Sequence, residues 1–410
     1  MSDPYAVLRI ADFRFYISAR FCVTLAIQIQ GVVVGLQVYY LTKDPLALGL
    51  IGLAEAIPSI VVSLYAGHVA DVVNRKKIIV WCMSTLVLCS SLLLFFSTGV
   101  GLFLDKFGVI PIYSVIFISG IARGFLTPAN FSFMPQLIPR ELFQGAVTVN
   151  STIWETASIA GPAVAGILAA KLGLTIAYSV DVFLTVVGLM LVFAVSNKPL
   201  PPDEGEHQGM IDKIKVGLDF VFTNKIVLAA ISLDLFAVLF GGAVALLPIF
   251  AEEILHVGEV GFGALRAAPS IGALLMAFVL MHNPIRRNMG RLLLWCVTGF
   301  GFCMIGFGLS TWFWLSLFLL IASGAFDCVS VIIRTTLLQT LTPDSMKGRV
   351  SAVNNIFIGS SNEIGMFESG VAARAFGTAP SVVFGGCVTV AVVGTISWFG
   401  KSLRRLQKVS

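Results

Sequence analysis

Among the polar side chains inside long apolar runs of this 410-residue chain, six stand out as candidates: Asp234, Asp327, Arg123, Glu155, Gln30 and Gln37. A charge placed in hydrocarbon is costly, so such residues face a cavity or a partner. A carboxyl in that setting can take up and release a proton as its surroundings change. Arg123 and Glu155 each lie 16 residues from Pro139, on opposite sides of it. At ~1.5 Å rise per residue they reach similar depth, which predicts an ion pair if the helix faces agree. Asp234 and Asp327 have no neighbouring cation in sequence and are the candidate proton carriers. Gln30 and Gln37, seven apart, share a helical face and offer neutral hydrogen bonds.

The elements that must position these residues are membrane helices. The chain is 57% hydrophobic and 12% charged, about half the charge of an ordinary soluble domain. Twelve apolar runs approach or exceed the ~20 residues that a spanning helix needs. They cover 15–41, 46–69, 78–99, 111–134, 142–170, 174–196, 225–250, 258–282, 291–310, 313–338, 349–376 and 380–400. A transmembrane barrel would alternate polar and apolar residues instead. The seven cysteines fall within the runs without a ligand-like pair, and the four histidines are dispersed. No metal site, no cofactor and no nucleic-acid partner is therefore expected. The first run is too long for a cleavable signal.

Lysine and arginine mark the two membrane sides. With both termini placed in the cytoplasm, nineteen fall on inner segments and four (Lys43, Lys106, Lys171, Arg374) on outer loops. That is a strong positive-inside bias. Among the charges inside the runs, Arg20, Arg334 and Glu368 lie near run ends and are expected to snorkel.

The longest loop, 196–224, begins Pro-rich and acidic. It then places Ile211, Ile214, Leu218 and Val221 on one face, predicting an amphipathic helix on the membrane surface. It separates a six-helix bundle at 1–195 from another at 225–410. The bundles are related. A shift of 204 residues carries Gly120, Pro139, Asn150, Gly161, Gly166 and Gly173 onto Gly324, Pro343, Asn354, Gly365, Gly370 and Gly377. A shift of 211 carries Gly31, Gly52 and the Pro58–Ile60 triplet onto Gly242, Gly263 and Pro269–Ile271. Glu55 and Arg266 are counterparts in the second and eighth runs. The expected fold is all-α and integral to the membrane, with twelve spans in two six-helix pseudo-repeats. Parallel repeats of this kind point to a transporter with its site near the midplane.

The stretch GHVADVVNRKK, 67–77, joins the second and third runs. Together with the repeat, it resembles the major facilitator superfamily, whose loop motif G-x-x-x-D-x-x-G-[RK]-[RK] is matched by Gly67, Asp71, Arg75 and Lys76. Asn74 stands where the motif has a turn glycine, a substitution that the left-handed tolerance of Asn would allow. The resemblance implies that these residues form a conformational latch on the cytoplasmic rim. In the second half the acid's place is taken by His282, with Arg286, Arg287 and Arg291 retained. Gly161, Pro162 and Gly166 resemble an export-type signature in helix 5. The flanking LTPANFSFMPQLIPRELFQGAVTVNS and the seventh run are similar to the drug-efflux and enterobactin-type siderophore-exporter branch.

What the resemblance implies is a monomeric secondary transporter in a bacterial inner membrane, exporting an amphiphilic small molecule against protons. In that family the first helix of each three-helix unit lines the cavity, which favours Arg123, Asp234 and Asp327 over Asp181 in an outer helix. Phe125, Phe131, Phe236 and Phe240 would suit aromatic substrates. An uptake carrier or uniporter of the same fold, and a non-transporting receptor, are the alternatives. An enzyme is not expected: HExxH, GxSxG and Walker patterns are missing from the sequence.

Overall fold

The computed structural model describes residues 6–99, 103–198, 218–241, 243–283, 285, 288–343 and 346–399. In chain order its helices are α1 (Ala11–Thr42), α2 (Pro45–Val72), α3 (Arg75–Ser97), the short α4 (Phe103–Phe107), α5 (Ile110–Phe133), α6 (Phe143–Leu172) and α7 (Leu174–Ala194). There follow α8 (218–223), α9 (Lys225–Gly241), the one-turn α10 (Leu247–Ile249), α11 (Gly258–His282), α12 (Met289–Leu309), α13 (Phe313–Leu341), α14 (Lys347–Phe376) and α15 (Thr378–Phe399). Every backbone group in lipid must be satisfied within its own segment, which is why runs this apolar become helices.

Twelve long spans are present among the described residues, and eleven are long and apolar enough to cross a membrane. α14 is as long as its neighbours but carries Glu363, Glu368 and Arg374. The seventh run departs from the expected single helix. α9 ends at Gly241, a 3-10 turn covers Ala243–Leu246, and Phe250–Ile254 winds as a π-helix after α10. Pro248 lacks an N–H and sits at the start of α10, where none is needed.

The chain divides into two compact units. One holds Met1–Lys43, Ala54–Gly205 and Gly258–Gly263; the other holds Asp44–Leu53, Glu206–Val257 and Ala264–Ser410. In the first, α1 packs on α6 and α7, and α3 on α5 and α7; in the second, α9 packs on α14 and α15, and α12 on α13 and α15. The two sets correspond helix for helix, so the glycine repeat is a repeat of packing.

The glycines show why. A methyl group at Gly120 would lie 2.6 Å from the Glu55 carbonyl oxygen and against the Pro58 ring. At Gly324 it would run into the carbonyl of Pro269, and Pro58 and Pro269 are themselves repeat counterparts. Gly161 likewise meets Gln28 on α1, and Gly365 meets the backbone of α9 at Val238 and Leu239. Small residues let backbones approach, and dispersion then holds helices that lipid does not push together. The α6–α7 and α14–α15 turns each use a glycine at positive φ, Gly173 at 84° and Gly377 at 93°.

The loop helix expected over 211–221 lies mostly outside the described residues, Ile211 and Ile214 included. Its end, α8, is helical, and Val221 is buried with Val227, Ile231, Leu338, Val350 and Val353. That end is tied into the second unit's core, where a purely surface helix was expected. Asn224 caps the junction, accepting from the amides of Ile226 and Val227.

Candidate transport sites

Arg123 reaches across its unit in two directions. Its Nη1 is ion-paired with Glu55 on α2, and its Nη2 donates to Gln30 Oε1 on α1 at 3.0 Å. The expected Arg123–Glu155 pair does not form. Glu155 is half-buried on α6 and has no ion pair among the described residues. α5 turns Arg123 toward Glu55 on α2 and Gln30 on α1.

Gln30 joins this pair to a second carboxylate. Its Nε2 donates to Asp181 Oδ2 at 3.1 Å and to Ser90 Oγ at 3.1 Å. Asp181 is 1% exposed, and Thr185 Oγ1 lies 3.4 Å from its Oδ1. An outer position in sequence order had ranked Asp181 low; its α7 faces α1 and α3. Gln37, seven residues beyond Gln30, accepts from Tyr178 at 2.6 Å. Gln37 has a neutral partner in Tyr178, whereas Gln30 bonds the charged Arg123 and Asp181 as well as Ser90; both are buried inside the unit.

The second unit has its own constellation. Arg334 on α13 is ion-paired with Asp234 on α9, each side chain 7% exposed. Snorkelling of Arg334 is thus corrected: it lies two helical turns from Asp327 and turns inward to a partner that only tertiary packing supplies. Asp327 and Asp234 line one cleft with Ser330, Phe300, Phe326, Val297 and Cys296. The cleft has room for about one water molecule. Asp327 has no hydrogen bond or ion pair among the described residues. Phe236 and Phe240 stack on α9 with centroids 6.4 Å apart. Phe131 is 83% exposed, while Phe125 packs against the first unit's core.

At the loop between α2 and α3 the cations act on helix ends. Arg75 Nη1 donates to the Ser132 carbonyl at 3.2 Å, and Lys76 Nζ donates to the carbonyls of Phe193, at 3.0 Å, and Val195. Cations suit C-terminal carbonyls, which carry the negative end of the helix dipole. Asn74 is not left-handed: at φ −56°, ψ 119° it caps α3, accepting from the Lys77 amide. Gly67 and Asp71 lie in α2, but the Asp71 side chain is outside the described residues, as are Arg286 and Arg287 altogether.

The helix 5 signature has a packing role. Gly166 sits against Gly263, the α-carbon 3.0 Å from an added methyl, and Gly263 against the Pro162 carbonyl at 2.5 Å. α6 runs unbroken through Pro162. Among the described residues no cluster of three metal-ligating side chains exists, and the cysteines are free thiols.

A protein family described as transmembrane secretion effector matches residues 2–408. The chain belongs to that family. Family membership makes it a transporter of the major facilitator type, an exporter rather than an enzyme. The secretion-effector chain is 26% identical over 347 residues to the protein named enterobactin exporter EntS of Shigella boydii serotype 4 (strain Sb227), covering 83% of this chain and 80% of that one. It is 25% identical, with the same coverage, to the enterobactin exporter EntS of Escherichia coli O81 (strain ED1a). Solved structures agree on the fold. A variant of the nucleoside transporter NupG matches with TM-score 0.73 at 13% identity, covering 95% of this chain and all of that one. A D-xylose–proton symporter matches with TM-score 0.73 at 15% identity, covering 96% and 97%.

Proposed function

We propose that this secretion effector exports an amphiphilic, aromatic small molecule of the siderophore or drug type in exchange for protons. The observation that supports proton coupling is Asp327: a carboxyl without a partner among the described residues, in a cleft shared with the Asp234–Arg334 pair. A carboxyl in apolar surroundings keeps its charge only at high cost and takes a proton instead. Arg334 neutralises Asp234, which leaves Asp327 as the group free to change state. When the cleft is wetted from the other side, the carboxylate is solvated and the proton leaves. The enterobactin exporters among the relatives and the stacked Phe236–Phe240 pair support an aromatic substrate. The charge bias supports an inner-membrane location with both termini cytoplasmic, and a monomer suffices for this scheme.

The test is a proteoliposome assay with an imposed proton gradient and a panel of catecholate siderophores and lipophilic cations. Asp327→Asn should fold, as judged by its elution and thermal unfolding, and lose gradient-driven flux by tenfold or more, about 1.4 kcal/mol. Asp234→Asn should lose flux as well. Wild-type flux and pH dependence in Asp327→Asn would remove it as the carrier.

A further inference from the structure

The first unit holds a polar chain that the scheme above does not use: Asp181, Gln30, Arg123 and Glu55, on α7, α1, α5 and α2. Its central link is an amide with two different ends. Gln30 Nε2 donates to Asp181 Oδ2, and Gln30 Oε1 accepts from Arg123 Nη2. A guanidinium only donates, and an ionised carboxylate only accepts. With Asp181 charged, the amide therefore has a single orientation. Asp181 and Gln30 are 1% and 4% exposed, so water does not substitute for either partner. The pair at the far end, Arg123 and Glu55, is about one-fifth exposed. The chain thus runs from a dry carboxylate to a wetter ion pair.

We propose that Asp181 is a second proton-holding group, and that Gln30 is the positioning residue that reports its state to the Arg123–Glu55 pair. Protonation gives Asp181 a donor. The amide can then turn its oxygen toward Asp181, which sets its NH2 against the Arg123 donors. Arg123 loses its hold on α1 and retains Glu55 alone. Deprotonation restores the original orientation. The turn also takes Nε2 away from Ser90 Oγ, whose hydroxyl can then donate to the amide oxygen instead; the proton arrives on Asp181 Oδ and leaves from it.

The groups facing Asp181 are few. Gln30 comes from α1, Ser90 and Cys89 from α3, Arg123 from α5, and Tyr178 and Thr185 from α7 itself. Arg123 is the only one that is positively charged. Tyr178 spends its proton on Gln37. The inference rests on the chain being a transporter and not on Asp327 being its proton carrier.

The experiment follows protonated carboxyl groups by infrared spectroscopy while the full chain, in lipid nanodiscs, is titrated without substrate. Asp181→Asn should abolish one titrating component and shift the carboxylate-band component of the Glu55–Arg123 ion pair. Gln30→Met keeps the length of the side chain but cuts the link. It should move the Asp181 component by about one pH unit, a tenfold change in proton affinity, and should uncouple it from Glu55→Gln. Glu155→Gln should leave both components in place, and Asp327→Asn should remove a separate one. If Asp181→Asn does not fold, Gln30→Met and Arg123→Lys carry the same comparison. An unchanged spectrum in Asp181→Asn, or an Asp181 component in Gln30→Met with wild-type midpoint and wild-type response to Glu55→Gln, overturns the proposal. Loss of the Asp181 component with no separate Asp327 component would instead overturn the assignment of Asp327.

Discussion

Arg334 on α13 and Asp234 on α9 form an ion pair in which each side chain is 7% exposed. Removing one partner leaves a buried charge alone, at roughly 3–5 kcal/mol. Arg334→Gln and Asp234→Asn should each lower thermal stability in detergent. The double variant should lose less than the two singles combined, by at least ~1 kcal/mol. Additive losses in the unfolding free energies would show that the pair contributes nothing jointly.

The same cycle distinguishes the partners of Arg123. Arg123→Gln should be non-additive with Glu55→Gln and additive, within about 0.5 kcal/mol, with Glu155→Gln. Coupling to Glu155 in place of Glu55 would mean that α5 presents a different face from the one seen here.

Gly324 tests the repeat. Gly324→Ala drives a methyl into the Pro269 carbonyl, and Gly120→Ala one into Glu55 and Pro58. Overpacking of this kind costs about 1–3 kcal/mol. A methyl at Gly394 meets nothing within 4 Å, so Gly394→Ala should stay within about 0.5 kcal/mol. Equal unfolding temperatures for the three variants would contradict the close approach.

Lys76→Met removes the cation from the carbonyls at the end of α7. The loss should be local, about 0.3–1 kcal/mol, and should speed amide exchange in the last turn of α7 severalfold while α5 stays protected. The latch expected of Asp71 has a different readout: Asp71→Asn should shift the distance distribution between labels on the two halves. An unchanged distribution and an unchanged transport rate would reduce the cluster to helix capping and topology.

The long helices were legible because length and apolarity are properties of a segment. Predicted and observed ends agree within a few residues for most of them, from α2 to α15. The 3-10 winding at Ala243–Leu246 and the π winding at Phe250–Ile254 were not, since irregular winding in a membrane helix is tolerated or not according to what packs beside it. The repeat was legible for a related reason: Gly120 and Gly324 are glycines because a neighbouring backbone occupies the space of a side chain, and that demand recurs in both halves.

Depth along the membrane can be counted from a sequence, and it placed Arg123, Glu155, Asp234 and Asp327 within their helices. Direction cannot be counted across helices. Each residue turns the face by about 100°, so a small error in helix phase or crossing sends a long side chain to a different neighbour. The sequence by itself determined the membrane class, the spans, the two-fold repeat and which ionisable groups lie in apolar runs. Only the tertiary structure decided that Arg123 takes Glu55 and Gln30, that Arg334 turns inward to Asp234, and that Asp181 is buried among donors from α1 and α3. A buried charge is satisfied by whatever the packed faces bring within ~3 Å, and those faces are set by helices far apart in the chain.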